Sequence, residues 1–250
     1  AFVHRPFNPA YHDRFPMAAL PKNRAHDWRI QIPSQGHAIQ LRRQAQTRGR
    51  ILFAGSLTRG PRSIFESENY LFWSDDLGDH WQMGAIIPRI GLNEAMAAEL
   101  ENGDILINSR AYTDQRADGL RAITRAHFDA DGQPHYQPTE HDPVLIDPAV
   151  QASLLRYSFA DQIECGSRSR LLFANPAHTQ ARVNLTLRLS YDDGINWAAS
   201  KTIDPGPSAY SDLVRLADGH VGVIYERGNT GGIHFVPVPL AWLTDGADPG

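Results

Sequence analysis

Apolar positions in this chain fall in short runs closed by turn residues. Ile51-Leu52-Phe53-Ala54-Gly55, Asn69-Tyr70-Leu71-Phe72-Trp73, Leu171-Leu172-Phe173-Ala174-Asn175 and Val183-Asn184-Leu185-Thr186-Leu187-Arg188-Leu189 all read as strands. Two further stretches read as hairpins. One runs from Glu99 to Asn108 and turns at Asn102-Gly103, a strong short-range hairpin signal; the other runs from Leu213 to Tyr225 and turns at Asp218-Gly219. Only Ala95 to Leu100 has helical character, and the Gly103 hairpin cuts it off. From Ile39 onward strand follows turn with no linker and no low-complexity tract, so the chain is all-β. Residues 1–35 are rich in Pro, His and Arg, show no clear period, and read as an irregular lead-in.

A repeated turn organises these strands. Ser74-Asp75-Asp76-Leu77-Gly78-Asp79-His80-Trp81 and Ser190-Tyr191-Asp192-Asp193-Gly194-Ile195-Asn196-Trp197 share the pattern S-x-D-x-G-x-x-W. The Asp carboxylate can accept backbone N–H groups inside a tight turn. The Gly supplies a backbone angle that a Cβ resists, and the Trp ring packs beneath the turn. Asp76 and Asp192 are 116 residues apart, or two units of 58. A decayed copy, Phe128-Asp129-Ala130-Asp131-Gly132-Gln133-Pro134-His135-Tyr136, lies near the midpoint. A period of this length with about four short strands per unit is the signature of β-propeller blades. The chain then holds roughly four blades, as one partial propeller domain over residues 1–250. The two clamps belong two blades apart on one face, away from any site.

Composition narrows the function classes. The net charge of −4 gives no basic footprint for nucleic acid. No apolar stretch is long enough to span a membrane as a helix. The single cysteine, Cys165, cannot form an internal disulfide, and neither the compartment nor a signal segment is legible. Lysine occurs only at Lys22 and Lys201, so arginine carries nearly all the positive charge, and each arginine offered as an anion ligand needs a positional argument. His37 and the other histidines show no helical His pair and no Cys partner, so neither a metal nor a cofactor is expected. Asn184-Leu185-Thr186 matches a glycosylation sequon but lies within a strand.

Four stretches are more specific than the clamps. Asn93-Glu94-Ala95 leads to Asn108-Ser109-Arg110. Ala174-Asn175-Pro176-Ala177 is followed by Arg182 and its strand. Ser208-Ala209-Tyr210-Ser211-Asp212-Leu213-Val214 precedes Tyr225-Glu226, and Ser34-Gln35-Gly36-His37-Ala38-Ile39-Gln40-Leu41 lies upstream. In this order they resemble the exo-α-sialidases (neuraminidases) of the six-bladed propeller class, whose blade turns carry the same Asp boxes. The resemblance runs from about Trp28 to Trp242. It implies a nucleophilic tyrosine at Tyr210, a paired glutamate at Glu94, carboxylate-binding arginines at Arg110 and Arg182, and a glutamate steadying the arginines at Glu226. Glu99, close to the Glu94 motif, is the likelier candidate for a structural role, since it enters the hairpin. The family's first arginine motif and its acid/base aspartate have no counterpart here; the family order places both before residue 1. The implied activity is retaining hydrolysis of terminal sialic acids on glycoproteins, glycolipids or oligosaccharides. The alternatives are a non-catalytic sialic-acid-binding propeller and a structural Asp-box module. On this reading residues 1–250 alone are inactive and self-associate, unless Asp13 or Asp27 supplies the missing acid.

These residue types suit that chemistry. Sialic acid carries a carboxylate on its anomeric carbon, which repels a carboxylate nucleophile; a neutral phenol avoids the repulsion. A phenol of pKa ~10 needs a neighbouring base at neutral pH, and a glutamate can take its proton. Arginine's planar fork gives a carboxylate two parallel charge-assisted bonds.

Overall fold

The structure is a computed structural model that describes residues 28–33, 35–59, 62–112, 119–163, 166–228 and 230–250. Cys165, Asp13, Asp27 and residues 1–27 of the lead-in lie outside the described residues. The chain folds into four successive antiparallel sheets, arranged as propeller blades. The first holds β1 (Trp28–Pro33), β2 (Ile39–Gln40), β3 (Ile51–Arg59), β4 (Glu68–Ser74) and β5 (Gln82–Ile86). The second holds β6 (Leu92–Glu99), β7 (Ile105–Ala111), β8 (Leu120–Phe128), β9 (Pro134–Tyr136) and β10 (Glu140–Ile146). The third holds β11 (Ser153–Ser158), β12 (Arg170–Pro176), β13 (Val183–Ser190) and β14 (Ala199–Pro207). The fourth holds β15 (Ser211–Arg215), β16 (Val221–Glu226) and β17 (Ile233–Val238), followed by one helical turn, α1 (Leu240–Leu243).

The first two sheets are four-stranded meanders with one strand broken. β1 and β2 pair in sequence along one edge of β3, opposite β4, and together form an innermost strand interrupted at residues 34–38. β9 and β10 do the same along the outer edge of β8. Residues 28–33 therefore form a strand, which corrects the irregular lead-in drawn through residue 35. Ala95–Leu100 needs a second correction. Ala95 to Glu99 belong to β6 and pair with β7 from Ser109 to Ile105. The alanines read as helical from propensity, but they are the small residues that let an inner strand sit between two neighbouring blades.

Packing between blades explains the continuous apolar runs. Leu171 and Phe173 of β12 join Met96, Ala98 and Leu106 of the second blade. Leu172 and Ala174, on the other face of the same strand, join Leu213, Val223 and Tyr225 of the fourth. Strands buried on both faces lose polar alternation. Between the first two blades, Leu52, Ala54, Leu71 and Trp73 pack on Ala95, Ala97, Ile105 and Ile107.

The repeated turns connect β4 to β5 and β13 to β14, two blades apart as the spacing requires. Their Ser and Asp hydrogen bonds are the same, whereas the Trp197 indole N–H donates to Asp142 Oδ2 of the second blade at 3.0 Å. The Ser Oγ accepts the Gly N–H at 2.8 Å in one and 2.9 Å in the other. The Asp Oδ1 accepts the N–H four residues on, from His80 or Asn196, at 2.8 Å. Asp193 and Gly194 both adopt positive φ, so the glycine relieves the second of two left-handed residues. The Trp81 indole N–H donates to Gly78 O at 3.2 Å, and its ring lies against Phe53 and Phe72. The decayed copy keeps the Asp bond, with the Gln133 N–H on Asp129 Oδ1 at 2.9 Å, but it lacks both the Ser and the Trp, and its Gly132 N–H donates to Asp129 O at 3.0 Å.

Candidate active site

Strand register sets the site at the blade ends opposite these turns. Glu94 lies near the start of β6, whereas Glu99 lies at its far end, toward Asp193 of the β13–β14 turn. The backbone carrying Glu94 is anchored from the first blade. Asn69 Nδ2 donates to Gly55 O at 3.0 Å and to Asn93 O at 2.6 Å, and Asn93 Nδ2 donates to Ser67 Oγ at 2.9 Å. Both asparagines are buried, so these bonds fix the entry to β6 rigidly.

Glu94 is 5% exposed and holds two partners. Its Oε1 accepts the Tyr210 phenol O–H, and its Oε2 accepts Arg110 Nη1 at 2.7 Å. Arg110 comes from the end of β7, and its guanidinium also lies 4.6 Å from the Tyr112 ring centroid. Tyr210 follows β14. Its N–H donates to Glu226 Oε2 at 3.3 Å, and its carbonyl accepts the Glu226 N–H at 2.9 Å. Arg182 precedes β13, is exposed, and places its guanidinium carbon 6.0 Å from the Tyr210 ring centroid. Three of the five candidates are thus joined side chain to side chain, Glu226 is joined to the Tyr210 backbone, and the Arg182 guanidinium lies by the Tyr210 ring. Glu226 is placed differently from the sequence expectation. It holds the Tyr210 backbone, and among the described residues no ion pair joins it to an arginine; the glutamate bonded to Arg110 is Glu94.

Electrostatics keep the phenol protonated. Burial, followed by the bond to Glu94, pushes the Tyr210 hydroxyl up to about 12, against the pull of Arg110 and Arg182. Burial raises Tyr112 as well, again opposed by both arginines. The two guanidinium groups therefore act on the same pair of rings. Arg110 stays firmly cationic, because the bond and charge of Glu94 outweigh its own burial.

The group opens on a cavity of about 320 Å³ that Gln35, Thr58, Glu94, Arg110, Tyr112 and Tyr210 help line. A second hollow of about 400 Å³ lies beside Tyr210, next to Gln151, Ser211 and Glu226. The arrangement joins a protonated phenol, a carboxylate able to receive its proton, and cations able to hold an anion. Tyr112 escaped the sequence reading, although it sits two residues from Arg110, the spacing of one strand face. Arg121 escaped as well. It is fully buried, with Nε on Asn108 Oδ1 at 2.7 Å and Nη1 on Val150 O at 2.6 Å. Glu99 is structural: its carboxylate accepts the backbone N–H groups of Arg42 and Arg43 at 2.8–3.0 Å. His37, weighed as a metal ligand, instead pairs with Asp212 at 2.7 Å. Asn184, in the sequon, adopts φ 62° at an irregularity in β13.

Residues 17–223 match the family described as the BNR repeat-like domain. The sialidase of Micromonospora viridifaciens is 35% identical over 217 residues, covering 86% of this chain and 31% of that protein. The sialidase of Vibrio cholerae serotype O1 is 30% identical over 237 residues, covering 84% of this chain and 29% of that protein. Among solved structures, the Hadza microbial sialidase Hz136 superposes with a TM-score of 0.72 at 26% identity, over 87% of this chain and 39% of that one. The chain thus spans about a third of the length of these two curated relatives.

Proposed function

The chain belongs to the BNR repeat-like family, and from that premise we propose that it carries the nucleophile side of an exo-α-sialidase site. Residues 1–250 contribute part of one propeller domain, and the whole protein removes terminal sialic acid from glycoproteins, glycolipids or oligosaccharides with retention. Tyr210 Oη attacks the anomeric carbon while the bond to the leaving oxygen breaks. The phenol proton passes to Glu94, and the leaving oxygen takes a proton from a separate general acid. Water then bonds to the anomeric carbon as its bond to Tyr210 Oη breaks; the phenolate takes its proton back from Glu94, and the deprotonated acid takes the proton of the water. Arg110 and Arg182 hold the sugar carboxylate.

The observation that carries this reading is the shared Glu94 carboxylate, which receives both Tyr210 and Arg110. A carboxylate paired only with a cation would be a structural ion pair. One that also takes a phenol O–H beside a cavity is placed as a proton acceptor. The test is to treat the whole protein with a fluorinated sialic acid that slows breakdown of the glycosyl-enzyme, and to locate the label by peptide mass spectrometry. Label on Tyr210, lost in Tyr210→Phe, supports the reading. Tight binding of a sialic acid analogue without any label would leave a sialic-acid-binding propeller, and no binding at all would overturn the sugar site.

A further inference from the structure

Resting on that reading, we propose that Gln151 and Asp212 are positioning residues that clamp the Tyr210 strand across the propeller axis. The 58-residue period places positions 36, 94, 152 and 210 in phase: 94, 152 and 210 at the entries of β6, β11 and β15, and 36 in the break between β1 and β2. Two of these positions carry Glu94 and Tyr210. The other two, Gln35–His37 and Gln151–Ser153, meet at the residues immediately after Tyr210.

The contacts form two parallel bridges. Gln151, 2% exposed, accepts the Ser211 N–H on Oε1 at 2.9 Å, and its Nε2 donates to Gln35 O at 3.2 Å. One side chain of the third blade thereby joins the first blade to the fourth. One residue further, Asp212 Oδ1 accepts Ser153 Oγ–H at 2.9 Å and the Leu213 N–H at 2.9 Å, and faces His37 Nδ1 at 2.7 Å. Ser153 Oγ in turn accepts the Leu213 N–H at 3.0 Å. The loop bearing Gln35 and His37 is pressed onto β6: a Cβ at Gly36 would overlap the Met96 sulfur. Tyr210 is thus fixed from behind by Glu226 and from ahead by Gln151 and Asp212, while its hydroxyl must reach Glu94 on another blade. A buried amide that satisfies a donor on one blade and an acceptor on another sets a distance between them, because both bonds fail if the blades shift.

The consequence is specific to the covalent step. Displacing a reacting group by about 1 Å can cost on the order of 10²-fold in rate. Gln151→Leu in the whole protein should slow saturating labelling of Tyr210 by the fluorinated sialic acid about 10–100-fold, with affinity for a non-covalent unsaturated sialic acid analogue held within about threefold. Ser153→Ala, a smaller change that removes the third blade's bond to Asp212 and leaves its contact with His37, should move the same rate in the same direction and serves as the variant if Gln151→Leu does not fold. Unchanged labelling in the folded variants would overturn the proposal. A parallel fall in affinity, labelling and melting temperature would also overturn it, by showing structural support only. Slowed labelling in both variants, with the analogue still bound and no label in Tyr210→Phe, supports it. Label retained in Tyr210→Phe would instead remove the nucleophile on which the proposal rests.

Discussion

Arg182 and Arg110 show how differently two arginines can be prepared for one anion. Arg110 is largely buried and already bonded to Glu94, whereas Arg182 is exposed beside the Tyr210 ring. Arg182 is therefore free to form a two-bond fork with a carboxylate, which lysine cannot reproduce. A hydrogen bond to a charged group contributes roughly 1.5–3 kcal/mol, so Arg182→Lys in the whole protein should bind a sialic acid analogue ~10–100-fold more weakly. Calorimetric titration checks this, and unchanged affinity removes Arg182 from the site. These residues were legible through the order of their motifs. Composition alone would have left Tyr210 a turn aromatic and Arg182 a solvated arginine. Asn69, Arg121 and Gln151 were not legible, because a buried polar side chain that bridges blades leaves no local period in the sequence.

At the scale of elements, the repeated turns made the fold readable, since each hydrogen bond in them follows from a residue type at a fixed offset. Asp192→Ala should cost about 0.5–1.5 kcal/mol, measured by denaturant unfolding, because it removes the partner of the solvent-facing Asn196 N–H and side chain. Asp129→Ala should lower the unfolding midpoint as well if the carboxylate, rather than the tryptophan, carries the turn. The alanine-rich β6 shows where local reading fails: intrinsic preference favours helix, and packing between two blades decides for strand. The C-terminal segment after α1 is tied down by one buried ion pair, Arg170 to Asp248, with bonds of 2.6 and 2.7 Å. Burial alone would raise the Asp248 carboxyl, but Arg170 and Tyr191 hold it down to about 2. A carboxyl lowered in the folded state adds stability above its unfolded pKa, and that contribution fades as pH falls from about 4 toward 2. Asp248→Asn should lower stability at pH 7 by about 3–5 kcal/mol, since it strands a buried cation, and the gap to the parent should shrink in melts below pH 4.

At the scale of the molecule, the outer face of the fourth blade is apolar and open among the described residues. Val214, Ile224, Ile233 and Phe235 of the fourth blade are all substantially exposed, with Ile233 at 66% and Phe235 at 55%. Apolar patches of this kind promote association in a polypeptide of residues 1–250. Phe235→Asp should lower the associated fraction in sedimentation velocity; equal association in both forms would assign the effect to another surface.

The bond between Tyr210 and Glu94 closes a loop of 116 residues, whereas every blade pairs strands that are next or next but one in sequence. Closing a long loop carries an entropic cost that local hairpins avoid, so long-range contacts form late. Refolding should therefore be sequential in time: far-ultraviolet dichroism recovers as the blades form, and competence to bind a sialic acid analogue returns in a later, slower phase. A stopped-flow comparison of the two signals on the whole protein reads this order directly. Such a lag would leave newly made chains with blades but no pocket, so ligand capture would report completed folding.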